Sequence, residues 1–324
     1  MQFLALAALF LTQGQTETDR IVYPGADEKA PKVVLIAGDE EYRSEEALPQ
    51  LAKILNKHFG LKTVVLFPID PKNGHINPNV NNNIPGTDEL RDASLMIIGL
   101  RFRNLPDKQM KEIVDYVDSG RPIIALRTST HAFNMSKESK YASWTWNSSA
   151  PWKGGFGKQI LGETWVSHHG NHGSESTLGL FAPGKENSPL LKGIKSGEIW
   201  GPTDVYEAAP PKDAETIVLG QVLSGMTIDS KPVAGKKNSP MMPIVWTREV
   251  KSASGEMAKV FTTTMGASQD LENEAFRRLL VNGVHWALGK EVPENAKVDL
   301  VGEYKPTKFS FNGFVKGKKP ADYR

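Results

Sequence analysis

The stretch Lys32-Val-Val-Leu-Ile-Ala37 decides the fold class. It is short, continuously apolar and rich in β-branched side chains, a pattern typical of a strand buried on both faces of a parallel sheet. A helix is predicted soon after it, from Ser44 to His58, because acidic residues follow a capping serine and leucines recur along one face. A buried strand followed by an amphipathic helix is the unit that builds a parallel sheet.

The alternation of strand and helix continues along the chain. Further helices are predicted at 106–119 and 273–288, and further strands at 62–67, 95–99, 122–126, 177–181, 216–219, 244–246 and 259–263. Because crossovers between such units are right-handed, the pattern predicts a doubly wound, mostly parallel α/β sheet with helices on both faces. Residues 140–240 are more irregular and rich in Trp, Gly and Ser.

Composition and charge exclude several classes of function. The 324 residues, 39% apolar and 23% charged, fit one large α/β domain with decorations or two small domains. The formal net charge of +2 gives no general attraction to nucleic acid. The absence of cysteine excludes thiol nucleophiles, disulfides and cysteine zinc sites. No nucleotide is indicated, since there is no Walker motif and acidic residues follow Gly38 directly.

The two ends of the chain are predicted to lie outside the domain. Residues 3–11 form an apolar run too short to span a bilayer, which indicates a signal peptide over 1–16 and a periplasmic or secreted protein. The alternative is a buried first strand or helix. Residues 17–31 are interpreted as a linker, 32–290 as the domain and 291–324 as a Pro- and Lys-rich tail. No other segment is apolar enough to be transmembrane.

Polar side chains follow four of the predicted strands, in residues 38–43, 100–104, 127–133 and 265–270. The carboxyl ends of parallel strands meet at one edge of a doubly wound sheet, and ligands bind there where the strand order reverses. The sequence therefore predicts a small-molecule site along this edge.

Residues 127–131 occupy the position of a nucleophile elbow, a sharp turn from strand to helix that exposes a side chain. Thr128, Ser129 or Thr130 would attack a substrate only with a base in reach, and the alternative is that these hydroxyls cap the following helix. His131 is a candidate for acid–base work because imidazole titrates near neutral pH. Its alternative is a structural histidine bonded to backbone.

Three histidines fall within five residues, at His168, His169 and His172. Imidazole binds zinc and other transition metals, and Glu163 or Glu175 would complete such a set. The alternatives are a surface loop or a sugar-binding edge that uses imidazole donors. Tryptophans of the same region either stack on sugar faces or pack the irregular segment, namely Trp144, Trp146, Trp152 and Trp165.

Several motifs resemble those of the trehalose-utilisation (ThuA-like) family, part of the class I glutamine-amidotransferase-like superfamily. They run in order over about residues 32–290, as PIIALRTSTHAF (122–133), LGETWVSHH (161–169), PTDVY (202–206), PIVWTR (243–248), VFTTTMG (260–266), FRRLL (276–280) and WALG (286–289). The resemblance implies a flavodoxin-like sheet and a role in carbohydrate catabolism. The expected substrates are trehalose-like disaccharides or their 3-keto derivatives.

Two departures from the family pattern bear on mechanism. Many superfamily members have a cysteine at the elbow, and its absence here excludes thiol-based glutamine hydrolysis. Many ThuA-like members have a histidine at the position of Arg127 and another at that of Ala267. Catalytic roles therefore do not transfer directly from the family to this chain.

In a 3-keto sugar the proton beside the carbonyl is the acidic one, so the chemistry needs a base and a group that stabilises the enolate. The resemblance implies an enzyme in which His131 or Glu41 is the base. Arg127 or Arg101 would stabilise the oxyanion. The side chains expected to bind substrate are Asp39, Glu40, Arg101, Arg103, Thr128, Tyr206 and Gln269.

Two other functions stay open at this point. One is a non-catalytic sugar-binding protein on the same fold, and the other is a hydrolase with a divalent metal on the three histidines. No cofactor is expected apart from that metal, and the expected partner is a small-molecule carbohydrate.

Overall fold

The computed structural model describes residues 19–149 and 151–324. The predicted signal peptide, residues 1–16, lies outside the described residues. Within them, ten strands form one sheet and three α-helices pack on it. The strands are β1 Arg20–Tyr23, β2 Lys32–Gly38, β3 Lys62–Leu66, β4 Leu95–Leu100, β5 Ile123–Leu126, β6 Ser176–Phe181, β7 Ile199–Gly201, β8 Glu215–Leu223, β9 Met242–Lys251 and β10 Met257–Thr263, and the helices are α1 Ser44–Phe59, α2 Asp107–Asp118 and α3 Glu274–Ala287.

Five neighbouring strands form a parallel core in the order β3-β2-β4-β5-β10. The other strands pair antiparallel on either side, β1 on β3, and β9, β8, β6 and β7 in turn beyond β10. The sheet is therefore mixed, whereas the sequence predicted a mostly parallel one. The connection from β9 to β10 gives the physical reason, because residues 252–256 are too few for the crossover that parallel strands need.

Helices cover both faces of the parallel core. Val33, Leu35 and Ala37 of β2 belong to the buried cluster that contains α1 and α3 residues. Val34 and Ile36, which alternate with them, belong to the cluster that contains α2 residues. Successive side chains of a strand point to opposite faces, so β2 is buried on both sides, which accounts for its unbroken apolar run.

Both segments that flank the predicted domain pack against it. Arg20–Tyr23, within the segment interpreted as a linker, form β1 and pair with β3 at the edge of the sheet. Ile21 is buried in the cluster that contains α1. The tail, residues 291–324, runs over the surface and buries Val298 and Phe309. No helix in the described part of the chain is long and apolar enough to cross a membrane.

The edge formed by the carboxyl ends of the parallel strands also receives two segments from the antiparallel side. An isolated bridge pairs His168 with Tyr206. The backbone N–H groups of His169 and Gly170 both donate to the carbonyl of Val205, each at 2.9 Å. These bonds hold residues 167–170 and 204–207 side by side, next to the turn that follows β5.

Candidate functional site

Arg127 begins the turn after β5. Its backbone has a φ of 45°, in the left-handed region that a non-glycine residue occupies only at a cost. The turn continues as a 3-10 helix over Arg127–His131, all of whose residues are buried. The strained start of this turn brings the guanidinium of Arg127 to Asp204.

Asp204 is the centre of a buried charge cluster. One carboxylate oxygen lies 2.8 Å from Nη2 of Arg127, and the other lies 2.7 Å from Nδ1 of His168. Nδ1 of His172 lies 3.2 Å from the first oxygen. Burial by itself would raise the pKa of Asp204, but the Arg127 guanidinium and the hydrogen bonds from both histidines hold that pKa well below its ordinary value. Asp204 is therefore an anion throughout the physiological pH range.

His172 connects Asp204 to Glu41. Its Nε2 lies 3.3 Å from a carboxylate oxygen of Glu41, and the hydroxyl of Tyr42 lies 3.4 Å from its Nδ1. The hydrogen bond with Asp204 raises the pKa of His172, although burial opposes this. Burial, and next the charge of Asp39, raises the pKa of Glu41. A carboxyl group whose pKa is raised in this way is suited to donate a proton.

Arg127 is the buried cation that holds Asp204 in place. Its guanidinium carbon lies 4.4 Å from the ring centroid of Tyr42 and 3.9 Å from that of Tyr206. Its Nη1 donates to the backbone carbonyls of Asp204 at 2.7 Å and Thr264 at 2.8 Å. With only 2% of its surface exposed, Arg127 holds the carboxylate and is not open to a substrate, contrary to the predicted oxyanion role.

Arg101 lies on the accessible side of the cluster. It pairs with Glu40, and its Nε lies 3.7 Å from a Glu41 oxygen. Glu40 also pairs with Nη2 of Arg103 at 2.7 Å. Arg103 is buried and donates to the backbone carbonyls of Arg101 and Pro78, so it supports the loop and does not face a ligand.

Asp39 and Thr128, both predicted to bind substrate, are buried and hydrogen-bonded to each other. Asp39 also accepts hydrogen bonds from the backbone N–H groups of Glu41 at 2.7 Å and Tyr42 at 3.0 Å. The hydroxyl of Ser129 donates to the carbonyl of Ile98 in β4 at 3.0 Å. These side chains fix the loops that carry the site, and the hydroxyls are not aligned for attack.

His131 lies beneath an aromatic layer. Its ring centroid is 4.9 Å from that of Phe102, 5.8 Å from that of Trp165 and 6.3 Å from that of Tyr206. Its Nδ1 lies 3.1 Å from the hydroxyl of Thr130. Burial, and next the nearby arginines, lowers the pKa of His131 well below its ordinary value, so the imidazole is neutral.

Aromatic side chains form one border of the site. Trp146 lies 5.7 Å from Phe102 and 6.2 Å from Trp165, and Trp165 lies 6.0 Å from His168, all between ring centroids. Two other tryptophans only pack, since Trp144 stacks on Phe156 at 5.4 Å and contacts Trp152 at 5.2 Å. Two indoles therefore face the site and two stabilise the irregular segment.

Only two of the three histidines, His168 and His172, lie together in the structure. Nδ1 or Nε2 atoms of His168 and His172 and a carboxylate oxygen of Asp204 lie within 4.8 Å of one another, a set that could hold a metal ion. His169 is not part of this set, because its Nε2 lies 2.8 Å from the carbonyl of Lys237. The two glutamates considered as further ligands are engaged elsewhere, Glu163 with Lys158 and Glu175 with Lys237.

Gln269 is half-buried on the 3-10 helix Ser268–Glu272, which follows β10. The buried carboxylate of Asp270 in the same helix accepts hydrogen bonds from the N–H groups of Gly266 at 2.8 Å and Ala267 at 3.0 Å. This helix therefore shapes the loop that contains Ala267, where the family resemblance predicted a histidine.

The sequence patterns do not identify Asp204 or Tyr42 as site residues. Asp204 lies in the motif Pro202-Thr-Asp-Val-Tyr206, which supports only the family resemblance. Tyr42 lies in the polar loop after β2, where the acidic residues are the predicted site residues. The feature that could have identified Asp204 is that it is the one acidic residue in this otherwise apolar and hydroxyl-bearing motif.

The fold is a mixed α/β sheet with a polar, aromatic-bordered candidate site at the carboxyl edge of its parallel core. The family model for trehalose utilisation (ThuA) matches residues 32–287, and the chain belongs to this family. No curated protein matches the sequence.

Two solved structures resemble this chain at low sequence identity. A ThuA-like protein from Parabacteroides merdae is 15% identical, with a TM-score of 0.50 over 87% of this chain and 98% of its own. Another from Bacteroides uniformis is 16% identical, with a TM-score of 0.48 over 85% and 98%. At 15% identity, the likeness to the Parabacteroides merdae protein concerns the fold alone.

Proposed function

We propose that this protein is an enzyme that cleaves a disaccharide in its 3-keto form by acid–base chemistry, with His168 as base and Glu41 as acid. The observation that carries the proposal is the pair formed by Asp204 and His168. A buried carboxylate 2.7 Å from Nδ1 fixes the tautomer and orientation of an imidazole, as catalytic acid–histidine pairs require.

His168 meets the requirements of a base better than His131. Its side chain is 36% exposed, and its Nε2 has no hydrogen-bond partner in the described part of the chain. His131, by contrast, is 2% exposed under the aromatic layer. His168 also borders Trp165, so a sugar ring stacked on that indole would lie next to the imidazole.

The reaction follows from the acidity of the carbon beside the keto group. Nε2 of His168 takes the proton from that carbon, and the electron pair forms an enolate whose oxygen is stabilised by the guanidinium of Arg101. The enolate then expels the glycosidic oxygen, which takes its proton from Glu41. The products are a free sugar and an unsaturated keto sugar, so atoms and charge balance. His168, whose side chain is 36% exposed, then releases its proton to solvent, and Glu41 takes up a proton, which restores the starting state.

A metal-dependent hydrolase is the second candidate, favoured by the three donor groups of His168, His172 and Asp204 within 4.8 Å. Two imidazoles and a carboxylate are a set that zinc accepts in hydrolases. The ion pair of Arg127 with the same carboxylate argues against a metal at this position, because the buried guanidinium would repel a divalent cation bound beside it.

The test is turnover of trehalose and of 3-keto-trehalose by the purified protein, followed by mass spectrometry. We expect product from the keto sugar, and we expect His168→Ala to lower kcat by about 100-fold or more. His169→Ala is the matched control, since His169 bonds to the carbonyl of Lys237 outside the cluster, and its kcat should stay within a few-fold of wild type. Equal turnover by wild type and His168→Ala would exclude His168 as the base.

The same assay separates the other functions. Loss of turnover on treatment with a chelator and its recovery with zinc would favour the metal hydrolase. Binding of either sugar without any product would favour a non-catalytic sugar-binding protein.

Two finer assignments belong to the same proposal. The parallel order β3-β2-β4-β5-β10 corresponds to 2-1-3-4-5 among the parallel strands, which supports a flavodoxin-like, doubly wound core. The apolar run at residues 3–11 supports export to the periplasm or the medium. Comparison of the mature N-terminus with Met1 by mass spectrometry of the secreted fraction tests the second assignment.

A further inference from the structure

Residues 304–312 of the tail run directly past the proposed active site. The hydroxyl of Tyr304 donates to the carbonyl of Ser268 at 2.6 Å, and Thr307 donates to the carboxylate of Glu46 through both its N–H and its hydroxyl, each at 2.7 Å. The N–H of Ser310 donates to the carbonyl of Glu41 at 2.9 Å. The segment is therefore fixed to α1, to the loop after β2 and to the loop after β10.

Phe309 points inward from this segment. It is 3% exposed, and its ring lies 5.3 Å from that of Tyr42 and 5.4 Å from that of His172. It forms a small buried cluster with Tyr42 and Ala267. One side chain of the tail thus packs behind the histidine that links Glu41 to Asp204.

Phe311, two residues further on, lies on the outside. It is 54% exposed, although it is one of the largest apolar side chains. Its ring centroid lies 5.0 Å from the guanidinium carbon of Arg101, which also lies 4.6 Å from the ring centroid of Phe102. Phe311 therefore extends the aromatic border, because Arg101 contacts both Phe311 and Phe102, and Phe102 lies next to Trp146.

We infer that Phe311 is a specificity-determining residue, the platform on which the second sugar ring of a disaccharide stacks. The inference rests on the proposed function. An exposed aromatic face held beside a guanidinium offers apolar contact to a sugar ring, while Arg101 offers hydrogen bonds to its hydroxyls. Residues 304–312 lie outside residues 32–287, the range that the family model matches, so the family match itself assigns no role to this platform.

The experiment compares binding of trehalose and of glucose by calorimetry in wild type, Phe311→Ala and Phe311→Trp. We expect Phe311→Ala to weaken trehalose binding about 3- to 10-fold and glucose binding less than 2-fold, because only the disaccharide reaches the platform. Phe311→Trp should restore trehalose binding. Met257→Ala is the matched control, since Met257 is 51% exposed at the amino end of β10, and it should change neither affinity.

Each other outcome has a definite meaning. An unchanged trehalose affinity in Phe311→Ala, or an equal loss for both sugars, would overturn the inference while leaving the proposed function in place. If wild type binds neither sugar, the inference is overturned, whereas the proposed function is decided separately by turnover of 3-keto-trehalose.

Discussion

Replacing Asp204 with asparagine keeps the shape of the side chain and removes its charge. The side chain of Asp204 is 0% exposed and that of Arg127 is 2% exposed, so the substitution leaves a buried cation without its counterion. Removing one partner of a buried pair costs about 3–5 kcal/mol. Arg127 keeps two backbone carbonyls and two tyrosine rings, so we expect the lower end, a loss of about 3 kcal/mol in the free energy of unfolding.

The assay is urea unfolding of Asp204→Asn beside Asp213→Asn. Asp213 also pairs with an arginine, Arg248, at 2.7 Å, but its own side chain is 56% exposed, so its loss should cost less than about 1 kcal/mol. Equal losses in the two variants would refute the assignment of a buried, stabilising charge to Asp204. Under conditions in which Asp204→Asn is folded, its turnover should also fall at least about 100-fold. The amide N–H would face Nδ1 of His168 and favour the tautomer with its proton on Nε2, which cannot act as the base.

Two further predictions concern stability. Burial raises the pKa of Glu45 from 4.5 to about 8, so between these pH values the folded chain keeps a proton that the unfolded chain releases. The free energy of unfolding should therefore fall by up to about 5 kcal/mol as the pH rises from 4.5 to 8. Glu45→Gln should remove this slope in unfolding measurements from pH 5 to 8; parallel pH profiles would contradict the assignment. A Cβ at Gly266, where φ is 136°, would lie 2.7 Å from the Cβ of Leu126, whereas Gly255, with φ 92°, has open space. Gly266→Ala should therefore lose about 1–3 kcal/mol more than Gly255→Ala, and similar losses would show that the contact relaxes freely.

The parallel core could be predicted from the sequence because its signals are local. The apolar runs of β2, β3, β4 and β5 are each shorter than eight residues and buried on both faces, and the amphipathic helices between them leave few alternatives. The predicted start of α1 at Ser44 is confirmed, but Ser44 does not cap the helix. The N-cap residue is Arg43, and the Ser44 hydroxyl accepts hydrogen bonds from the N–H groups of Gly38 and Asp39, each at 3.1 Å. β1 gave no such signal, since only Ile21 of its four residues is buried.

The site could be predicted only in part, for a similar reason. Glu41 and Arg101 follow parallel strands, so the rule that these strand ends meet at one edge brings them together. His168 and His172 were noticed as a cluster, and the metal interpretation grouped them with His169. Spacing within a loop does not say which way each ring turns, and the carbonyl of Lys237, 68 residues away, holds His169 apart from the others.

Asp204 marks the limit of such reasoning. It follows the three-residue strand β7, which joins the sheet at its far antiparallel end, after β8 and β6. Its approach to Arg127, 77 residues earlier in the chain, depends on long-range pairing that no local period encodes. The arginine at position 127, where the family resemblance predicted a histidine, is explained only by this long-range pairing. The guanidinium fixes a carboxylate from the antiparallel side, and that carboxylate orients His168. The proposed base, His168, is therefore held by a carboxylate from the antiparallel side, while the turn after β5 supports that carboxylate.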